Sequence, residues 1–269
     1  MAMSRRKRAQ VIRGVQYAVL VLAILLVVLL ADWQTIGSQF FNLEAARTQI
    51  PEVITTALVN TAVYTALGFA VGFGLGLVFA LMKLSSVGPY RWIATAYIEF
   101  FRGIPALLVF IALGFGVPLA FNLKFDVYST AAIALGLVGS AYIAETLRAG
   151  IQAVPKGQIE AARSLGMSAA RTNVTVVIPQ AFRIILPPLT NELILLTKDS
   201  SLIYLLGLFR DDFELAKFGR EGLNATNSMT PILLAGLCYL LITVPLGHLS
   251  RYLEGRTGRK SERGLKVTA

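Results

Sequence analysis

Cysteine, histidine and charged residues are scarce in this chain. Its 269 residues include one cysteine and one histidine, which excludes a disulfide framework and a zinc site built from Cys and His ligands. Only 15% of the residues are charged, against roughly 25% in an average soluble protein. A G-x-x-x-x-G-K-[ST] loop and any Gly-Lys dipeptide are also absent. The chain is therefore not expected to bind ATP in such a loop, and we expect neither an enzyme nor a bound cofactor or metal.

Apolar residues, by contrast, are abundant. They make up 55% of the chain, and the mean hydropathy is +0.66. One soluble core cannot hide that much apolar surface, so the composition predicts an all-α membrane protein surrounded by lipid. Apolar runs long enough to cross a bilayer predict six transmembrane helices, at 14–31, 53–82, 92–113, 127–144, 184–209 and within 222–250. Of these runs, 92–113 and 184–209 contain charged residues.

The basic residues predict the orientation of these spans. The formal net charge is +10, which in a soluble protein would favour nucleic acid as a partner. With both termini in the cytoplasm, 18 of the 25 Lys and Arg residues fall on the cytoplasmic side and only 5 outside. This asymmetry follows the positive-inside rule. The excess charge is thus explained by topology, and no nucleic-acid partner is expected.

The largest cytoplasmic loop, 149–183, contains a short predicted helix. Helix-forming residues occupy 158–165, and Gly166 follows as a stop signal. Ser168 is a suitable N-cap for a second helix, which we expect to end before Pro179.

This loop resembles the E-A-A loop of bacterial ABC importer permeases. The family pattern is E-A-A, three residues, G, nine residues, then I-x-L-P, and the chain departs from it only at Val176 and Ile178. The resemblance implies that the short helix docks on an ATPase subunit and transmits its closure. The residues assigned to this coupling are Gly157, Glu160, Ala161, Ala162, Arg163, Gly166 and Pro179. An ordinary amphipathic surface helix is the alternative.

Other segments resemble the polar amino-acid permeases of the histidine, arginine, glutamine and glutamate type. They include YIEFFRGIP at 97–105, PKGQ at 155–158, LPPLTN at 186–191 and KDSSL at 198–202. The similarity implies a type I ABC importer transmembrane domain at 53–253. Residues 1–52 would add a cytoplasmic N-terminus, an extra helix and an outer loop, and 254–269 would form a basic cytoplasmic tail.

The resemblance also implies partners. Permeases of this type sit in the bacterial inner membrane, pair as homo- or heterodimers, and carry two ATPase subunits that bind ATP and Mg. An extracytoplasmic binding protein delivers the polar amino acid.

Ionisable residues inside a span are costly in lipid and mark candidate solute contacts. Glu192 and Asp199 lie two helical turns apart and so share a face. With Asn60 and Asn191 they form the predicted substrate-binding set. Arg102 and Lys198 are candidate gate residues, Arg102 because Gly103 and Pro105 break the helix beside it. Alternatively, Asp199 pairs with Lys198, and Asn60 serves helix packing.

Three shorter-range expectations concern packing and charge. Gly68, Gly72 and Gly76 form a ridge for close helix approach. The pairs Glu99–Arg102 and Glu145–Arg148 are expected to neutralise each other locally.

Two other classes of function remain open. An ion-coupled secondary transporter would use Glu192 or Asp199 as its proton site, although six spans are about half of what such proteins usually contain. An inert anchoring subunit would tolerate a bulky residue at Gly166.

Overall fold

The computed structural model describes residues 5–123 and 125–267, with side chains described for 8, 10–123 and 125–256. Every regular element in these ranges is a helix, which confirms the predicted all-α class. Lys124, one of the five basic residues expected on the outer side, lies outside the described residues. The side chains of the cationic positions at 5–7 and 259–266 lie outside them as well.

The N-terminal part is a series of helices that leads without a long loop into the bundle. These are α1 Arg5–Leu30, α2 Trp33–Phe40, α3 Leu43–Glu52 and α4 Val59–Leu84, with a π-helical segment Val53–Leu58 between the last two. Helix α1 confirms the first predicted helix. Helix α3 passes through the π segment into α4, so the helical path crosses the domain boundary predicted at 52/53.

The third predicted span, 92–113, is broken beside Arg102, as the helix-breaking residues Gly103 and Pro105 predict. Helix α5 covers Gly88–Gly103 and α6 covers Ala106–Ile111, followed by a π segment Ala112–Gly116 and α7 Val117–Phe121. The two halves meet at an angle of 102°. Proline disfavours helical backbone in the residue before it, and Ile104, before Pro105, is extended at φ −94° and ψ 139°.

The candidate coupling loop lies between two long helices, and one predicted boundary is wrong. Helix α8 covers Val127–Gln152, α9 Lys156–Ser164 and α10 Ala169–Thr172, and a π segment Asn173–Val177 leads into α11 Ile178–Asp199. Ser168 caps α10 as predicted, but Pro179 does not end the helix. A proline ring clashes with the carbonyl four residues earlier. Here that carbonyl belongs to Thr175, inside the wider π turn, which accommodates the ring.

The last predicted spans also have different boundaries. Helix α11 gives way to a 3₁₀ segment Ser200–Leu206, and α12 Leu215–Thr226 precedes α13 Thr230–Val267. The uncharged run at 222–250 is therefore interrupted, because Asn227 adopts left-handed backbone at φ 49° and ends α12.

Among the described residues, four helical stretches are long and apolar enough to cross a membrane, and the bent α5–α7 pair makes a possible fifth. They are Gln10–Leu30, Trp33–Leu84, Val127–Gln152 and Thr230–Arg256. Helix α11 is not among them and carries Arg183, Glu192, Lys198 and Asp199. The count of six spans, and the position of the termini, stay predictions.

Helices α4 and α8 form the centre of the bundle, and the predicted glycine ridge is their contact surface. A Cβ added at Gly76 would lie 2.9 Å from Ile143 Cγ2 and 3.0 Å from the Ser140 carbonyl oxygen, and one at Gly72 would lie 3.3 Å from the Gly136 oxygen. Because side-chain volume here would separate the backbones, the glycines set the distance between the two helices.

We expect Gly76→Ala to lower the thermal unfolding midpoint of the purified protein in detergent. Overpacking of this kind costs about 1–3 kcal/mol, which corresponds to several degrees for a chain of this size. Gly74→Ala is the matched control in the same helix, because nothing lies within 4 Å of its added Cβ. Since Ala favours helix over Gly by up to about 1 kcal/mol, the control should be neutral or stabilising. Equal midpoints for the two variants would contradict this role for the ridge.

Candidate functional site

Helix α9 protrudes from one end of the bundle, anchored by an apolar face. Ala162 is 6% exposed, and Ile159 packs against the core cluster that contains Ile143 and Leu147. Glu160, Ala161 and Arg163 are exposed on the other side. The helix thus presents two ionic groups around a small alanine, a surface that another protein can approach closely.

The C-terminus of α9 is closed by a Schellman motif. The Gly166 amide donates to the Arg163 carbonyl at 3.0 Å, and the Met167 amide donates to the Ala162 carbonyl at 3.2 Å. Gly166 has φ +81°, in the left-handed region that disfavours side chains with a Cβ. The Arg163 guanidinium also donates to the Met167 carbonyl at 2.6 Å. Gly166 therefore acts as the stop predicted from the sequence.

An ionic network holds the end of α8 from which α9 emerges. The predicted pair of Glu145 and Arg148 is confirmed, with Arg148 Nη2 2.7 Å from the carboxylate. Lys83, at the end of α4, forms an ion pair with the same carboxylate, and Arg148 also donates to Gln152 at 2.5 Å. Sequence reasoning missed the Lys83 contact, because residues 62 positions apart give no local signal.

The other expected local pair is wrong. Among the described residues, Glu99 and Arg102 form no ion pair, and both are exposed. The Arg102 guanidinium instead lies 5.5 Å from the centroid of the Tyr142 ring, a cation–π contact between α5 and α8.

The predicted solute-binding acids lie on one helix, α11. Glu192 and Asp199 are half-buried, and Arg102 and Asp199 both lie within electrostatic range of Glu192. Lys198 is exposed and interacts electrostatically with Asp199, but no ion pair within 4 Å joins them in the described part of the chain. Asn191 is exposed. The gate candidate Arg102 and the two acids thus share one region.

Asn60 lies elsewhere. It is 7% exposed, and its amide nitrogen donates to the carbonyls of Asp211 at 2.7 Å and Phe213 at 3.1 Å. These bonds tie the segment after α11 to the start of α4. The structure thus assigns the Asn60 amide a role in packing, and its contact with solute stays a prediction.

The remaining contacts of this segment, 210–215, were not anticipated from the sequence. Tyr64 donates to the Asp212 carbonyl at 3.0 Å, and the Leu215 amide donates to Thr61 at 3.1 Å. Arg210 and Glu52 form a two-bond ion pair, with both contacts at 2.6 Å. We call this set, with Asn60, the loop clamp. It lies at the end of α4 opposite to Lys83 and α9.

Glu214 completes this end of the molecule. Its fully buried carboxylate accepts hydrogen bonds from the amides of Ala216 and Lys217, at 2.6 and 2.7 Å, and from the Tyr239 hydroxyl at 3.2 Å. Burial raises the pKa of the Glu214 carboxyl to about 7. The residue is the N-cap of α12, a role that sequence analysis did not assign because Glu is an uncommon N-cap.

Among the described residues, no group of three or more His, Cys, Asp or Glu is arranged to hold a metal ion. The features present are an anchored helix with an exposed polar face and a cluster of ionisable groups on α11. In a multi-pass helical membrane protein, this combination is typical of solute permeases.

The comparison with family models identifies the particular family. Residues 72–259 match the binding-protein-dependent transport system inner membrane component family, which is more than half of the chain. The chain belongs to this family, and its role is that of a permease subunit of an ABC importer.

Curated relatives agree with this assignment. The chain is 36% identical to the probable glutamine ABC transporter permease protein GlnM of Bacillus subtilis, over 67% of this chain and 82% of the relative. It is 36% identical to the arginine transport system permease protein ArtQ of the same organism, over 66% and 80%. The glutamate/aspartate import permease protein GltK of Escherichia coli is also 36% identical, over 68% and 83%.

Solved structures show the same fold. The crystal structure of an amino acid ABC transporter with histidines matches with a TM-score of 0.70 and 34% identity, over 78% of this chain and 96% of the other. A bacterial ABC transporter for alginate import matches in fold alone, with a TM-score of 0.61 and 14% identity over 93% of this chain and 99% of the other. The predicted type I importer architecture is confirmed.

The Schellman motif predicts how substitutions at Gly166 will behave. A left-handed residue with a Cβ costs about 1–2 kcal/mol, so Gly166→Ala should open the end of α9 and speed hydrogen exchange of a peptide spanning 160–170 about tenfold. Gly166→Asn should exchange more slowly than the alanine variant although Asn is larger, because Asn tolerates this conformation. The reverse order would show that side-chain size, and not φ, limits this position.

Proposed function

We propose that this chain is the transmembrane permease subunit of an ATP-driven importer of polar amino acids. It would form the translocation path in the bacterial inner membrane, with α9 and both termini in the cytoplasm. The observation that carries the proposal is helix α9. Its polar face is exposed at one end of the bundle, its two ends are fixed, and its sequence matches the family's coupling loop.

The exposed face of α9 suits docking to an ATPase subunit. Ala161 permits close approach, while Glu160 and Arg163 offer ionic anchors around it. The Schellman motif fixes the C-terminus of α9. Before its N-terminus, Val154 is only 3% exposed and anchors the chain in the core. A movement of the docked ATPase would therefore be carried to α8 and α11 without being absorbed in a flexible loop.

ATP and Mg would be bound by two partner ATPase subunits. A second permease copy, identical or different, would complete the pore, and an extracytoplasmic binding protein would deliver the solute to the end that carries the loop clamp. The names of the relatives, which include glutamine, arginine and glutamate/aspartate permeases, favour a polar amino acid as the solute.

The solute would pass the ionisable region of α11. Glu192 and Asp199 could receive an ammonium group or a cationic side chain, and Arg102 and Lys198 could control passage beside them. The acids on α11 favour a cationic amino acid over an acidic one, since a buried acid disfavours a second negative charge.

Uptake in proteoliposomes tests this class of function against ion-coupled transport. The chain should be reconstituted with its ATPase partner and binding protein, with and without ATP and an uncoupler. We expect uptake that requires ATP and continues with the uncoupler. Uptake by this chain alone that the uncoupler abolishes would instead establish the secondary transporter.

Glu192→Gln tests the role of the α11 acids. A hydrogen bond to a charged group contributes about 1.5–3 kcal/mol, so arginine uptake should lose about tenfold or more in kcat/KM while glutamine uptake changes little. Each solute is the control for the other in the same preparation. An equal loss for both would mean that Glu192 does not recognise the cationic side chain, and the preference for a cationic amino acid would be wrong.

A further inference from the structure

A cavity of about 230 Å³ lies at the loop-clamp end of the bundle, away from the ionisable region of α11. Its walls come from α3, from the segment 210–213 and from α12. The lining includes Gln49, Arg210, Phe213, Phe218, Glu221 and Ala225. None of these residues belongs to the sets predicted above for solute or ATPase contact.

The wall contributed by α3 is firmly placed, although it precedes the family-matched segment 72–259. The Gln39 carbonyl, at the end of α2, accepts hydrogen bonds from the Met229 amide at 2.8 Å and the Ser228 hydroxyl at 2.7 Å. The Asn42 amide donates to the Thr230 hydroxyl at 3.0 Å. These bonds attach the helices that precede residue 53, which we call the N-terminal extension, to the start of α13. Gln49 therefore faces α12 from a fixed position.

Two opposite charges line the cavity, and each is oriented by a partner outside the lining. Glu52 holds the Arg210 guanidinium through two bonds of 2.6 Å, and Lys217 Nζ lies 2.8 Å from the Glu221 carboxylate. A guanidinium has five N–H donors and a carboxylate about four acceptor sites. Both groups therefore keep hydrogen-bonding capacity for a ligand while their own geometry is already set.

The remaining lining is apolar or neutral. Phe213 and Phe218 supply aromatic surface, and Gln49 supplies a neutral amide. The volume is below the 300–1,000 Å³ of pockets for drug-sized ligands, which favours one small molecule. The two ion pairs, Arg210–Glu52 and Lys217–Glu221, have no net charge. The site therefore matches a ligand that has one positive and one negative group and no net charge.

We propose that this cavity binds the zwitterionic head of a free amino acid, with the carboxylate at Arg210 and the ammonium at Glu221. The identity of the ligand class rests on the proposed function. On the external side, such a site would receive solute before it reaches α11, and the N-terminal extension would complete it.

Direct binding to the full chain in lipid nanodiscs tests the proposal without ATP or a binding protein. The probe is L-glutamine, measured by equilibrium binding of the radiolabelled amino acid. N-acetyl-L-glutamine lacks the ammonium group and the α-amide of glutamine lacks the carboxylate. We expect both to compete at least tenfold more weakly than unlabelled glutamine. Equal competition by all three would overturn the zwitterion site.

The two ion pairs provide matched controls. Arg210→Gln and Glu221→Gln remove charges from the lining, whereas Glu52→Gln and Lys217→Gln break the same ion pairs and leave those charges in place. We expect at least a tenfold loss of affinity for the first two variants and less than a threefold change for the other two. Equal effects within each pair would show that only the ion pairs matter, and the site would be rejected. All four are expected to fold, because surface ion pairs and i,i+4 helix pairs contribute little to stability.

Two further variants locate the binding. Ala225→Leu should obstruct the cavity from an exposed position and weaken glutamine binding, and Ala170→Leu, at an exposed position of α10, should leave it unchanged. Full binding in Ala225→Leu would place the ligand outside this cavity and overturn the proposal. Cavity binding without ATP-driven uptake would reject only the proposed transport function, whereas uptake without cavity binding would reject only this site.

Discussion

The close approach of α4 and α8 is the contact on which the other features depend. Gly72 and Gly76 allow the two backbones to meet without intervening side chains. Because association of helices in lipid relies on packing more than on the hydrophobic effect, a seam of small residues gives these two helices a fixed relation. Each end of this contact then positions a different group of side chains.

At one end, Lys83 and Glu145 join α4 to α8 just before the chain enters α9. At the other end, Asn60 and Tyr64 hold the carbonyls of the segment after α11. Backbone groups near lipid must find hydrogen-bond partners within the protein. The side chains of α4 supply these partners to the segment after α11, where the helical hydrogen bonds end. One helix thus fixes both the candidate ATPase contact and the segment that borders the cavity at the loop-clamp end. A change in the α4–α8 contact would therefore reach both ends of the molecule.

Much of the fold could be predicted because it depends on local patterns. Apolar runs marked α1, α4 and α8, and the residues around Gly166 defined α9 to within two residues at its start and one at its end. The errors arose where two local rules competed. Pro179 was read as a helix end, but the π segment before it moves the clashing carbonyl aside and the helix continues. The turn at Asn227 was not predicted because it lies within an uncharged run. Hydropathy indicates burial in lipid, but it does not indicate where the backbone changes direction.

The sequence by itself determined that this is an all-helical membrane protein with a loop that resembles the coupling loop of ABC importers, because composition, helix signals and motif spacing are properties of neighbouring residues. Only the tertiary structure decided which distant residues meet. It assigned Asn60 to the loop clamp, placed Arg102 near Glu192, and brought Gln49 of the N-terminal extension to Arg210 and Glu221. These arrangements involve residues more than 80 positions apart, and they follow from how the helices pack rather than from any local preference along the chain.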